Sequence, residues 1–166
     1  MRGLKVAVSS LSDRIKVMRQ MHDAGLTDPD VRGTAMGAVQ RCPARDDRCE
    51  IAAVFDHVKR NVRYTGDVRG FDTYASAKRS LEWGGGDCDD HAVAVTTLLR
   101  HLGFQTGVRV ADTGSGDWDH VYGIVGFPKD NPTGYVALDT TMPQAVPGWE
   151  PPARKIKDFI WGSFWA

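Results

Sequence analysis

The sequence lacks what a membrane-spanning or nucleic-acid-binding chain requires. Its longest apolar runs are about four to six residues, against the roughly 20 that a membrane-crossing helix needs. Lys plus Arg number 21 and Asp plus Glu number 21, so the net charge is zero. No overall field therefore draws in nucleic acid or an anionic surface. The apolar stretch at residues 4–8 is too short for a signal-peptide core and runs into Ser9 and Ser10, which makes a cytoplasmic protein the expectation. Cysteine is scarce too: Cys42, Cys49 and Cys88 are an odd set, unlike the dense even framework of a secreted mini-protein, and leave at least one thiol free. Cys42 and Cys49 flank the loop 43–48 and are close enough for a local disulfide, but in a cytoplasm free thiols are expected there. Internal repeats, low-complexity blocks and long Gly/Ser linkers are missing, which favours one domain over residues 1–166.

The chain is otherwise ordinary: 42% hydrophobic and 25% charged, long enough at 166 residues to bury a core without staples. Its two halves differ in period. Up to about residue 103 the apolar spacing is helical. Ser12 is the expected cap of a first helix carrying Ile15, Met18 and Met21, and Thr27 with Asp30 marks a second. Ile51, Val54, Phe55 and Val58 define a third, over about 47–62. Asp72 is the expected cap of a short helix through Tyr74, Ala77 and Leu81, ending at Trp83 and three glycines. Asp87 then opens a well-marked helix with Cys88 in its first turn, stopped by Gly103. Beyond it, residues 105–111, 119–127 and 134–140 are rich in Val, Tyr and Ile and separated by turn clusters, so they read as sequential antiparallel strands. Helices followed by strands make an α+β domain.

The start of a helix stabilises a thiolate through unpaired N–H groups, and this is where Cys88 falls. Gly84, Gly85 and Gly86 before it add no side-chain bulk and leave room for a substrate backbone to approach. Asp87, Asp89 and Asp90 work the other way, since neighbouring negative charge raises a thiol pKa. An imidazole paired with the sulfur and braced by a carboxylate would offset them. His120, at the start of the second strand, and Asp139, at the end of the third, are the candidates, because adjacent antiparallel strands bring such ends together. Taken singly, each has a plainer reading: Cys88 as a small buried apolar residue, His120 as a satisfied structural histidine, Asp139 as a turn residue. His22, His57, His91 and His101 lie on expected helices; His91 stands apart because Cys88 and His91, with His120 and Asp139, offer an alternative zinc set. Asp87, Asp89 and Asp90 as a magnesium cluster is a further alternative, but no Walker-type loop accompanies them. Neither a metal nor a cofactor is expected.

Three segments, Gly85-Gly86-Asp87-Cys88-Asp89-Asp90-His91-Ala92, Trp118-Asp119-His120-Val121-Tyr122 and Tyr135-Val136-Ala137-Leu138-Asp139-Thr140-Thr141, together resemble the transglutaminase-like superfamily. The resemblance implies a papain-like core with the cysteine helix packed on an antiparallel sheet and a Cys88-His120-Asp139 triad at their junction. It divides the chain into a helical part (1–70), a catalytic core (71–142) and an aromatic-rich tail (143–166), a layout most like the small bacterial and tailed-phage members. The implied reaction is cysteine-dependent acyl transfer on an amide bond of a protein or peptide through a thioester, with hydrolysis favoured over transamidation. Trp83, Tyr64 and Tyr74 are the candidate side-chain donors to an oxyanion, and Trp118 either walls the cleft or packs on the sheet. The family also holds members without activity, so a binding or assembly module, virion-associated if phage-related, is the competing reading. Its support is the tail, where residues 153–165 read as a helix with Ile156, Phe159, Ile160 and Phe164 on one face, available for self-docking, self-association or a partner.

Overall fold

The computed structural model describes residues 4–7, 10–66 and 71–162, with side chains from 10–66 and 74–162. Short polar side chains set where each helix begins. Ser10 caps α1 (Leu11–Leu26) by accepting from the Asp13 N–H, two residues before the expected cap Ser12. Asp28 rather than Thr27 caps α2 (Pro29–Ala38), because its carboxylate reaches the Asp30 N–H while Pro29 takes the first turn, where no N–H is needed. Asp46 caps α3 (Asp47–Asn61), which buries Ile51, Val54, Phe55 and Val58 as their spacing requires.

The expected helix from Asp72 starts later. Residues 71–74 are instead a strand, β3 (Phe71–Tyr74), antiparallel to β1 (Leu4–Ala7), and Ser76 caps α4 (Ala77–Trp83). A second small ladder joins β2 (Arg63–Tyr64) in parallel to β4 (Gly85–Gly86), the two residues that lead to the helix α5 (Cys88–His101).

The strands of the second half fall where their alternation puts them: β5 (Thr106–Asp112), β6 (His120–Phe127) and β7 (Gly134–Leu138). The tail departs from expectation. Its residues form a strand, β8 (Lys155–Ile160), not a helix, and β8 pairs antiparallel with β5 to complete a sheet of order β7-β6-β5-β8. Apolar residues 156, 159 and 160 suit a helical stripe, but the unpaired edge of β5 offers six residues' worth of backbone partners, and Trp161 behind them is buried against Met18, Val93 and Val121. The tail is thus docked on its own domain; Phe164 and Trp165 lie outside the described residues.

Cys42 and Cys49 are joined in a disulfide with Cα atoms 5.7 Å apart, so the free-thiol loop expected there is closed. A turn in which the Cys42 N–H donates to the Val39 carbonyl brings Cys42 back toward α3.

Helix α5 is buried along its length from Asp89 to Leu99 and divides the core. Leu98 and Leu99 pack with Val54, Phe55 and Val58 of α3, whereas Ala92 and Val93 pack with Met18, Val110 and Val121. This helix lies directly on β6 at Gly123, where an added Cβ would sit 2.7 Å from Val95 Cγ1 and 3.1 Å from Thr96 Cγ2. Gly123→Ala therefore pushes α5 away from the strand that carries His120. A stability loss of about 1–3 kcal/mol is expected in urea denaturation; an unchanged midpoint would mean that helix and strand are not in rigid contact.

Candidate active site

Cys88 is the first residue of α5, and the turn that presents it is tied down by carboxylates. Asp87 Oδ1 accepts from the Asp90 N–H at 3.1 Å, and Asp90 Oδ2 accepts from the Asp87 N–H at 3.2 Å, a reciprocal capping box. The other Asp90 oxygen accepts from the Ala75 N–H at 2.9 Å and anchors the start of the helix to the segment before α4. Gly86 has no freedom to be larger, since a Cβ there would lie 2.6 Å from Asp90 Cβ. Burial and the charge of Asp87 push the Asp90 carboxyl up to about 8, and burial raises Asp87 as well.

His120 opens β6 and Asp139 follows β7, and the pairing of these strands brings the two together: His120 Nε2 and Asp139 Oδ2 are 2.7 Å apart. Asp139 is fully buried. Burial works to raise its pKa, but the bonds from His120 and from the Thr141 N–H and hydroxyl outweigh it and hold the carboxyl below its usual value. An ionised carboxylate offers only lone pairs, so the ring proton lies on Nε2 and Nδ1 is left as the basic nitrogen.

The third side chain meets this pair through the neighbouring residue. Cys88 packs against the apolar cluster that holds Val121, the residue after His120, and the backbone N–H of Val121 works to stabilise its thiolate. The thiol is nonetheless pushed well above its ordinary value, first by burial and then by Asp89 and Asp87; the Val121 N–H and Arg14 work in the opposite direction. A standing thiolate is therefore not favoured at neutral pH, against the offset that the sequence led us to expect.

Among the other residues singled out by sequence, Tyr64 is 54% exposed, and its phenol is raised by burial and then by Cys88, Asp87 and Asp139, which places it in the same field. Trp83 is 70% exposed with the Arg79 guanidinium 3.5 Å from its ring centroid. Tyr74 is buried against Met18, Ala92 and Val93 rather than on the surface. Trp118 lies under the Lys155 ammonium and, with His120, Arg14 and Asp89, borders a cavity of about 10 Å³. Two hollows of about 430 and 450 Å³ run along α2 and α3 and are lined by none of Cys88, His120 and Asp139. The ring of His91 is bonded through Nδ1 to Thr140 Oγ1 at 2.7 Å, and burial lowers its pKa to about 4. Among the described residues no three His, Cys, Asp or Glu side chains are grouped as a metal ion would need.

Two contributors escape the sequence reading. Arg14 of α1 brings a guanidinium to within 3.8 Å of the buried Asp89, next to Cys88, and Thr140, the residue after Asp139, is bonded to His91. Both contacts join positions at least 49 apart in the chain, and no local pattern signals them.

The sequence profile described as the transglutaminase-like superfamily matches residues 37–140, more than half of the chain and all three of these side chains. The chain belongs to the transglutaminase-like superfamily. Solved structures show the same fold at low identity. A candidate cysteine protease from Cytophaga hutchinsonii superposes with a TM-score of 0.51 at 17% identity, over 79% of this chain and 46% of its own. A candidate protease from Parabacteroides distasonis gives a TM-score of 0.51 at 14% identity, over 74% of this chain and 26% of its own. The transglutaminase-like chain thus spans less than half the length of either neighbour. No curated protein matches it. No helix among the described residues is long and apolar enough to cross a membrane.

Proposed function

We propose that this chain hydrolyses amide bonds of proteins or peptides through a thioester on Cys88, with His120 as acid and base and Asp139 as the group that orients it. The observation that carries this reading is the 2.7 Å His120–Asp139 bond, made beside Val121, against whose apolar cluster Cys88 packs at a helix N-terminus. Because the thiol is held in its neutral form, His120 Nδ1 removes its proton as the sulfur attacks the carbonyl, rather than storing an ion pair in advance. The same proton then goes to the leaving amine. Water, activated by the imidazole, breaks the thioester and releases the acid.

The developing oxyanion is met by the Cys88 N–H, which belongs to a first helical turn with no intrahelical partner. Of the side-chain candidates, Tyr64 suits the second donor best: its raised pKa keeps the phenol protonated, and it lies in the field of Cys88. One such donor is typically worth about 3 kcal/mol. Water is favoured over a second amine as acceptor because Tyr64 and Trp83, which flank the turn before Cys88, stand in solvent. Concerning compartment, the Cys42–Cys49 bridge favours oxidising surroundings over the cytoplasm.

A binding or assembly module remains the second reading, and one observation favours it: burial with Asp89 and Asp87 disfavours the reactive thiolate. Fluorescein-labelled casein, with dansylcadaverine added in a parallel reaction, separates the readings. Label release that Cys88→Ala abolishes, with little amine incorporation, is the expected result. Equal, background rates for the native protein and Cys88→Ala in both reactions would leave the module reading standing.

A further inference from the structure

The three glycines that lead to Cys88 have different reasons to be glycine, and for one of them the described residues supply none. Gly84 adopts φ +72°, the left-handed cap of α4. Gly86 is excluded from carrying a Cβ by Asp90. Gly85 has no left-handed φ, and a Cβ built on it would meet only Thr65 Cγ2 at 3.4 Å and the Arg63 carbonyl at 3.6 Å, ordinary contact distances. Neither packing nor backbone conformation among the described residues requires glycine at 85.

The hydrogen bonding of β4 shows what lies on its outer side. The Arg63 N–H donates to Gly84 O at 2.9 Å and the Thr65 N–H to Gly86 O at 2.8 Å. Alternation along a strand then turns the N–H and C=O of Gly85 away from β2. Among the described residues no strand pairs with that side, because β2 and β4 form a two-stranded sheet. This open edge ends three residues before the sulfur of Cys88. Two of the exposed large apolar side chains flank it, Trp83 two residues upstream and Tyr64 opposite Gly86 in the ladder. The hollow beside His120 is too small to enclose a small-molecule substrate, and what the described residues present at β4 is a backbone edge with aromatic shoulders.

We infer that the free edge of β4 at Gly85 is a substrate-binding strand, which pairs with the main chain of an extended polypeptide and lays the peptide bond to be cut across Cys88. For its catalytic consequence this rests on Cys88 being the nucleophile proposed above. The substrate class is an unfolded or extended segment, recognised through its backbone, with apolar or aromatic side chains preferred where they meet Tyr64 and Trp83. Glycine at 85 keeps a side chain from crowding the residue that pairs with it.

The test uses the native protein and blocked phenylalanyl chloromethyl ketones of one, two and three residues, with Cys88 alkylation followed by intact mass. Each probe forms a C–S bond and loses chloride, so labelling does not depend on turnover. The tripeptidyl probe is expected to label about 10- to 100-fold faster than the single-residue one, as two added backbone hydrogen bonds allow. N-methylation of one particular amide should cancel that gain, and Gly85→Val should remove the length dependence. Rates that do not rise with length, or that ignore N-methylation at every position, overturn the inference. Length-dependent labelling by a protein that cleaves no casein supports the strand while refuting the hydrolase.

Discussion

Replacing Asp139 by asparagine is expected to lower turnover about 10³- to 10⁴-fold, the scale seen when a triad carboxylate becomes an amide. The change is nearly isosteric. Asparagine keeps an oxygen to accept from the Thr141 N–H and hydroxyl, which now bond Asp139 Oδ1, so the turn after β7 should survive. What changes is the group facing His120. An amide N–H₂ would point at Nε2, which must then give up its proton to Nδ1, the nitrogen that has to receive the proton of Cys88. Asp139→Ala loses the Thr141 bonds as well and should therefore cost stability in addition to activity. Casein hydrolysis and thermal melting of both variants check this. A loss of less than about tenfold in Asp139→Asn, with the fold intact, would mean that this carboxylate does not set the state of the imidazole.

Raising the pH from 5 to 8.5 should weaken the fold through the carboxyl pair at the start of α5. Burial and the neighbouring Asp87 charge push Asp90 up to about 8, far above the value near 4 that an unfolded chain gives it. A group shifted upward contributes its full stability below the unfolded value, and that contribution is lost as the pH rises through the folded one. The window is therefore about pH 4 to 8, and stability falls progressively across it. Asp90→Asn removes the titration and keeps one oxygen, which can serve either the Ala75 or the Asp87 N–H but not both. At pH 5 the variant should be less stable by about 1–3 kcal/mol, the cost of one orphaned buried donor. Near pH 8.5 the gap should shrink, because the native carboxyl has by then ionised. Urea midpoints that run parallel across the range would rule out a titrating Asp90. The acid side behaves in the opposite sense: the lowered pKa of Asp139 gives a contribution present above the unfolded value and lost as the pH falls through the folded one.

Much of this site is legible in the chain itself. Asp87 ahead of Cys88, with Asp90 three residues on, is a local signal, because the capping carboxylates need only the N–H groups of the same turn. The spacing of β5, β6 and β7 and the turn clusters between them suffice to bring His120 next to Asp139, since antiparallel neighbours share ends. Other features depend on partners that no local pattern contains. Residues 155–160 carry a helical stripe yet form β8, because an unpaired strand edge offered more than a solvent-exposed helix would. The place of Cys88 at a helix start favours an activated thiol, but the depth at which α5 sits and the buried Asp89 raise its pKa instead. Gly85 and Gly86 look alike in sequence; only the position of Asp90 shows that Gly86 is needed by the fold, whereas no described residue requires glycine at 85.

By itself, then, the order of residues determined helices α1 to α5, strands β5 to β7, the cap that presents the sulfur, and which imidazole and carboxylate meet, because each follows from hydrogen bonds and apolar periodicity within a few residues or between adjoining strands. The tertiary structure decided the protonation state of Cys88, the tail's place in the sheet, the Arg14–Asp89 contact and the open edge beside Gly85. These depend on burial, field and unpaired backbone groups, which exist only once distant segments have packed together.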